Sequence, residues 1–112
     1  WYTKSFVATH PGALQRRLDQ VLAINETVFL RFYELYSKTD VDALLPAIAV
    51  PALIMSGALA RGCGAEVVAH VAGLMPQATT QIYAEMRNGI LTEIPDRVAS
   101  DLRSFAQARS VP

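Results

Sequence analysis

The sequence predicts an α/β fold in which two parallel strands are covered by helices. Three observations carry this. The apolar run Ala52–Met55 does not alternate with polar residues, which fits a strand buried on both faces. It leads through a glycine-rich turn, Gly57 to Gly64, into the helical pattern of Ala65–Met75. A second β-rich stretch, Thr79–Ala84, then follows. A strand, a helix and a strand in succession make a parallel crossover.

Length and composition set the limits. The 112 residues allow one domain at most. Apolar residues make up 52% and the ten basic side chains balance ten acidic ones, which excludes a disordered chain. Zero net charge without a basic cluster argues against a nucleic-acid partner. No apolar run approaches the ~20 residues that span a bilayer, so no membrane partner is expected. Trp1 is followed by neither a basic region nor an apolar core, so no signal peptide is read there. Trp1-Tyr2 reads as mid-protein sequence, and a fragment or a processed chain is expected. The single cysteine, Cys63, excludes an internal disulfide and points to a reducing, cytoplasmic compartment.

In chain order, Trp1 to Thr9 read as irregular. Thr9 is the expected cap of a first helix with Pro11 in its opening turn, where a missing N–H costs nothing. Leu14, Leu18, Val21 and Leu22 form its apolar stripe. Asn25 is the expected cap of a second helix, carrying Val28, Phe29, Phe32, Leu35 and Tyr36 on one face and Lys38 in its last turn. Thr39–Asp42 offers another capped start, and Val41–Leu45 reads as a helical turn closed by Pro46. After the first strand, Val67, Val68, Val71, Ala72 and Met75 share one side of a helix that Pro76 stops. Glu85 to Thr92 reads as a loop. Pro95 opens the last helix, with Val98, Leu102 and Phe105 spaced for one buried face. The tail after Ala108 is expected to fray. Residues 1–39 thus form a helical segment, and 40–112 a strand–helix–strand–helix unit.

Two strands do not close a stable sheet. Each keeps an unpaired edge and an exposed apolar face. The remaining strands are therefore expected from an upstream segment, another chain or a second copy in a homo-oligomer.

The run Leu45-Pro46-Ala47-Ile48-Ala49-Val50-Pro51-Ala52-Leu53-Ile54-Met55-Ser56-Gly57 resembles the late-strand pattern L-x-x-I-x-V-P-x-L-x-x-x-G of α/β-hydrolase-fold enzymes. Thr92-Glu93-Ile94-Pro95-Asp96-Arg97-Val98 is similar to that family's final-helix start, x-E-x-P-E-x-V. The first two helices resemble the cap of enol-lactonases and carboxylesterases. The resemblance covers the whole chain as the C-terminal half of that fold, with 1–39 as cap. It implies small-molecule ester or lactone hydrolysis without a cofactor.

The resemblance also places a catalytic aspartate three residues after Gly57 and a histidine seven residues before Pro95. Those positions hold Ala60 and Asn88. No G-x-S-x-G nucleophile elbow occurs; Ile54, not glycine, stands two residues before Ser56. Alanine cannot orient an imidazole, and asparagine cannot act as a general base. His10 at a helix start and His70 within a helix fall on no strand-end loop. A catalytically inactive hydrolase-like domain is the reading these replacements favour. An engineered replacement of both residues would read the same way.

Other candidates carry a plainer reading beside the functional one. Cys63 can be a nucleophile at a helix start, but reads better as a buried or idle thiol. Arg61 can bind an anion, and reads better as a solvated charge. Glu85 and Glu93 can form an acid–base pair, though Glu93 suits the final helix N-terminus better. Phe29, Phe32 and Tyr36 read as helix packing, whereas Tyr33 can equally face a ligand cavity or a partner. No zinc-ligand spacing or phosphate loop is present. Three functions stay open: a degenerate hydrolase-like protein acting through binding, of a small-molecule ligand among others, or through assembly; a segment of an active hydrolase whose nucleophile lies outside it and whose acid and base are altered or displaced; and an interaction module pairing through its sheet edge.

Overall fold

The computed structural model describes residues 1–109. Its centre is a parallel pair, β1 (Ala52–Gly57) and β2 (Ala78–Tyr83), with Ala52 level with Ala78 and Gly57 level with Tyr83. Helix α4 (Ala65–Leu74) makes the crossover and packs against both strands. Its Val68 is buried, and Met75, just ahead of Pro76, caps its C-terminus. Successive strand residues point to opposite faces, so Met55 and Tyr83 share one face. There they meet the buried Ile90 and Val98, with Met86 and Ile94 around them. Val98 belongs to the last helix, α6 (Pro95–Arg109), and Ile90 opens a single turn, α5 (Ile90–Glu93), which corrects the end of the stretch read as a loop. Proline at the first position of α6 suits a helix start, where its missing N–H is not needed.

The N-terminal segment holds three helices: α1 (Lys4–Thr9), α2 (Pro11–Leu22) and α3 (Glu26–Lys38). Helix α1 corrects the irregular reading of the first nine residues. Thr3 caps it, its hydroxyl accepting from the Phe6 N–H at 3.3 Å. Thr9 therefore ends a helix instead of starting one, and His10 stands at the cap position of α2. Asn25 caps α3 as expected, Oδ1 accepting from the Val28 N–H at 3.1 Å, and Lys38 lies in its last turn. Pro46 does not close a turn; it lies inside a short 3-10 turn, Leu45–Ala47.

Burial departs from expectation in three places. Ala52–Met55 are only partly buried. Leu102 is 47% exposed and Phe105 half-buried, so Val98 is the one fully buried residue of the expected stripe of α6. Phe29, Phe32, Tyr33 and Tyr36 are each at least half exposed, which overturns the packing role read for the α3 aromatics. All three follow from the same lack of cover. Among the described residues no strand pairs with the second edge of β1, and α3 has no buried residue. The chain exposes 8292 Å², whereas a compact 12.2 kDa domain exposes about 6,100 Å². Its radius of gyration is 16.4 Å, against about 13 Å for a compact chain of this length. Among the described residues no helix is long and apolar enough to cross a membrane. The fraying expected after Ala108 falls mainly on 110–112, outside the described residues; Arg109 is still helical.

Candidate functional site at the strand ends

Because β1 and β2 end level, the loops that leave them emerge side by side. In parallel α/β sheets this C-terminal edge is where sites assemble. The Ala58 N–H donates to the Tyr83 carbonyl at 2.9 Å and the Leu59 N–H to the Met86 carbonyl at 3.0 Å. A side chain on Gly57 would collide with the carbonyls of Met86 and Arg87, so glycine is required where the loops touch. Gly62 has φ +77°, a left-handed conformation that glycine adopts without strain. Ser56, buried, donates to the Cys63 carbonyl at 2.5 Å and draws the loop back towards its own strand.

Asn88 reaches across from the second loop. Its Oδ1 accepts from the Arg61 N–H at 3.1 Å, and its Nδ2 donates to the Arg61 carbonyl at 3.1 Å. The same Nδ2 lies 3.3 Å from Cys63 Sγ. The two positions singled out in the sequence, Ala60 and Asn88, are thus brought to adjoining loops. Ala60 lines a cleft of about 380 Å³ with Ala58, Gly62, Gly64, Ala65, Glu66 and Val67. Its methyl group accepts no hydrogen bond, and the amide of Asn88 does not ionise. What Asn88 supplies is a tie to the backbone of Arg61, and Ala60 supplies none.

The other candidates separate. Arg61 is exposed and joins the site through its backbone. Cys63 is exposed, which corrects the buried alternative, and its sulfur takes the Asn88 amide as a neighbour. Tyr33 lies on the exposed face of α3, its ring 6.4 Å from that of Phe29. Glu85 is exposed. Glu93 serves α1, not α6: its carboxylate accepts from the Thr3 N–H at 3.0 and 3.2 Å and from the Thr3 hydroxyl. His70 Nε2 lies 2.6 Å from Asp42 Oδ2, and the His10 ring stacks on Phe6 with centroids 4.4 Å apart. The Thr3–Glu93 and Asp42–His70 contacts span 90 and 28 residues, and no spacing rule in a single sequence finds them. Among the described residues no three His, Cys, Asp or Glu side chains are placed to hold a metal ion.

One buried group is strongly perturbed. Tyr83 is 1% exposed, and its hydroxyl donates to Asp101 Oδ2 at 2.8 Å. Burial, then the bond to Asp101 and its charge, pushes the phenol up to about 12, against a smaller opposing effect of Arg97.

The parallel strands, their helical crossover and the helices ahead of them form an α/β unit, and in fold it matches part of solved α/β hydrolases. It is similar to MGS-M2, an α/β hydrolase enzyme from a Medee basin deep-sea metagenome library, with TM-score 0.72 and 17% identity over 99% of this chain and 42% of that one. It is also similar to an α/β fold family hydrolase from Bacillus anthracis str. Sterne, with TM-score 0.62 and 21% identity over 92% of this chain and 44% of that one. The chain therefore spans less than half the length of these structures, consistent with the C-terminal half of the fold. No protein-family model and no curated protein matches the sequence.

Proposed function

We propose that the chain is the C-terminal portion of an α/β-hydrolase-like protein of ester- or lactone-hydrolase ancestry that binds and assembles without turning substrate over. One observation carries this reading. Asn88 commits both its acceptor and its donor to the backbone of Arg61, the residue after Ala60. A triad needs a carboxylate to orient an imidazole and an imidazole to take the nucleophile's proton. Here one partner is a methyl group and the other is a tie to the neighbouring loop. The loops keep their mutual placement, and the cleft beside Ala60 keeps room for a small molecule.

Assembly has its own support. The surplus surface of roughly 2,000 Å² exceeds the ~800 Å² per partner of a standard interface. Exposed apolar side chains of α2 and α3, and the unpaired edges of the two-stranded sheet, contribute to it. The remaining strands of the sheet, from the same polypeptide or another, are the partner this surface fits. Cys63, exposed and without a disulfide, agrees with a reducing compartment such as the cytoplasm.

Hydrolysis of a short-chain p-nitrophenyl ester tests the reading. The expected result is no turnover above buffer. Turnover that co-purifies with the protein and disappears on Cys63→Ala would overturn it, as would turnover that disappears on Asn88→Ala.

A further inference from the structure

We infer that Tyr2 and Glu93 are positioning residues for the strand-end tie: they seat Gly89 and so hold Asn88 against Arg61, although neither lines the cleft beside Ala60. This role is one of placement and stands whether or not the site turns substrate over. Asn88 lies between two close approaches. On one side, the carbonyls of Met86 and Arg87 press against Gly57. On the other, the ring of Tyr2 presses against Gly89. A methyl group at position 89 would overlap that ring and come within 2.9 Å of Glu93 Oε1. Gly89 is buried, and its φ of −88° is open to any residue. Glycine is therefore needed there for space, not for conformation.

The Tyr2 ring is itself held. It packs on Phe6 with ring centroids 5.2 Å apart. Thr3, the next residue, gives its N–H and its hydroxyl to the Glu93 carboxylate, and the charge of that acceptor strengthens both bonds. Glu93 also returns to Gly89 through its backbone: its N–H donates to the Gly89 carbonyl at 2.9 Å, as does that of Thr92. One residue thus grips Gly89 with its main chain and, with its side chain, holds the segment whose ring covers it. The ring of bonds between Asn88 and Arg61 closes only where two hydrogen bonds meet their distance and angle limits together. Displacing Gly89 moves the adjoining Cα of Asn88 and opens that ring.

Hydrogen exchange at the Arg61 N–H tests this, with the Asn88 Nδ2 protons as a second signal. Gly89→Ala is expected to raise exchange at Arg61 about tenfold and to bring the Nδ2 protons to the rate of a free amide, with β1 and α4 unchanged. Tyr2→Ala, the gentler variant, should raise exchange by a smaller factor. Tyr2→Phe keeps the ring and should leave it as in the parent chain. The pair is expected to be non-additive: once Tyr2→Ala has emptied the space, adding Gly89→Ala should change exchange at Arg61 by no more than about twofold. Glu93→Ala should move the same two signals, because it releases Thr3. Unchanged exchange at Arg61 on Gly89→Ala would overturn the inference, as would additive effects in the double variant. An equal rise throughout β1 and α4 on Tyr2→Ala would make Tyr2 a general stabiliser and overturn it as well.

Discussion

Asn88 and Arg61 form a closed ring. The amide oxygen of one takes the backbone N–H of the other at 3.1 Å, and the amide nitrogen returns to its carbonyl at 3.1 Å. Twenty-seven residues separate the pair, yet the level ends of β1 and β2 bring them together. Asn88→Ala removes both bonds, leaving the Arg61 N–H without its side-chain partner and its carbonyl with only the Cys63 thiol at 3.9 Å. A loss of about 1–2 kcal/mol is expected, at roughly 1 kcal/mol for each net hydrogen bond. The midpoint of urea unfolding checks it, and an unchanged midpoint would show that water replaces the amide fully.

Gly57→Ala places a methyl group against the carbonyls of Met86 and Arg87. Backbone cannot swing aside as a side chain can. The strand-end loops must separate, and a cost of about 2–3 kcal/mol is expected, in the upper range for overpacked sites. Thermal unfolding of the variant measures it.

The pH dependence of stability follows from Tyr83. Its folded-state value lies near 12, above the ordinary 10.0 of an unfolded tyrosine. A group raised on folding contributes fully below its unfolded value and loses that contribution as pH climbs towards its folded value. The protein is therefore expected to lose stability between about pH 10 and 12 more steeply than Tyr83→Phe does. The variant should also be weaker by about 1–2 kcal/mol at neutral pH, since it forgoes a bond to a carboxylate. Denaturant titrations at pH 8, 10 and 11.5 give both numbers. Parallel pH profiles would remove the role assigned to the Tyr83–Asp101 bond.

The uncovered surface predicts association. Sedimentation velocity is expected to show species above the 12.2 kDa monomer, or a complex when a polypeptide carrying the missing strands is supplied. A stable lone monomer that binds no hydrophobic dye would count against the incomplete sheet.

The proposed reading of Ala60 and Asn88 can be tested by introducing the two groups it says they lack. Ala60→Asp with Asn88→His places a carboxylate and an imidazole on the adjoining loops but supplies no nucleophile. No ester turnover is expected from the double variant by itself. Joined to an upstream half bearing a serine elbow, the double variant should exceed either single variant by several orders of magnitude, because triad members act as a unit. Equal rates for single and double variants would show that the loops do not hold triad geometry.

Much of this fold was readable from the chain. Pro11, Asn25, Pro76 and Pro95 mark helix boundaries because proline and asparagine act on their own local backbone, and the structure keeps all four. The strands were readable from unbroken apolar or β-branched runs. Helix α1 was not, since six residues carry too little periodicity and its stabilising carboxylate, Glu93, lies 90 residues away. The exposure of Phe32 and Tyr36 was also hidden. Periodicity says which residues share a face, not whether anything covers it. At the strand ends, the family resemblance, counted from Gly57 and Pro95, pointed to Ala60 and Asn88, which stand on adjoining loops. The bond from Asn88 to the peptide of Arg61 needed coordinates, because any backbone amide within reach would have served.

The strand register also bears on how the chain folds. Every paired residue in the sheet lies 26 positions from its partner, from Ala52 with Ala78 to Gly57 with Tyr83. One loop closure therefore aligns the whole ladder, at an entropic cost of about 3 kcal/mol, and later pairs form without closing another. The β1–α4–β2 unit is therefore the expected folding nucleus, with α5, α6 and the N-terminal helices expected to add later. Substitutions at Ile54 or Val68 should slow folding, whereas Glu93→Ala should speed unfolding alone.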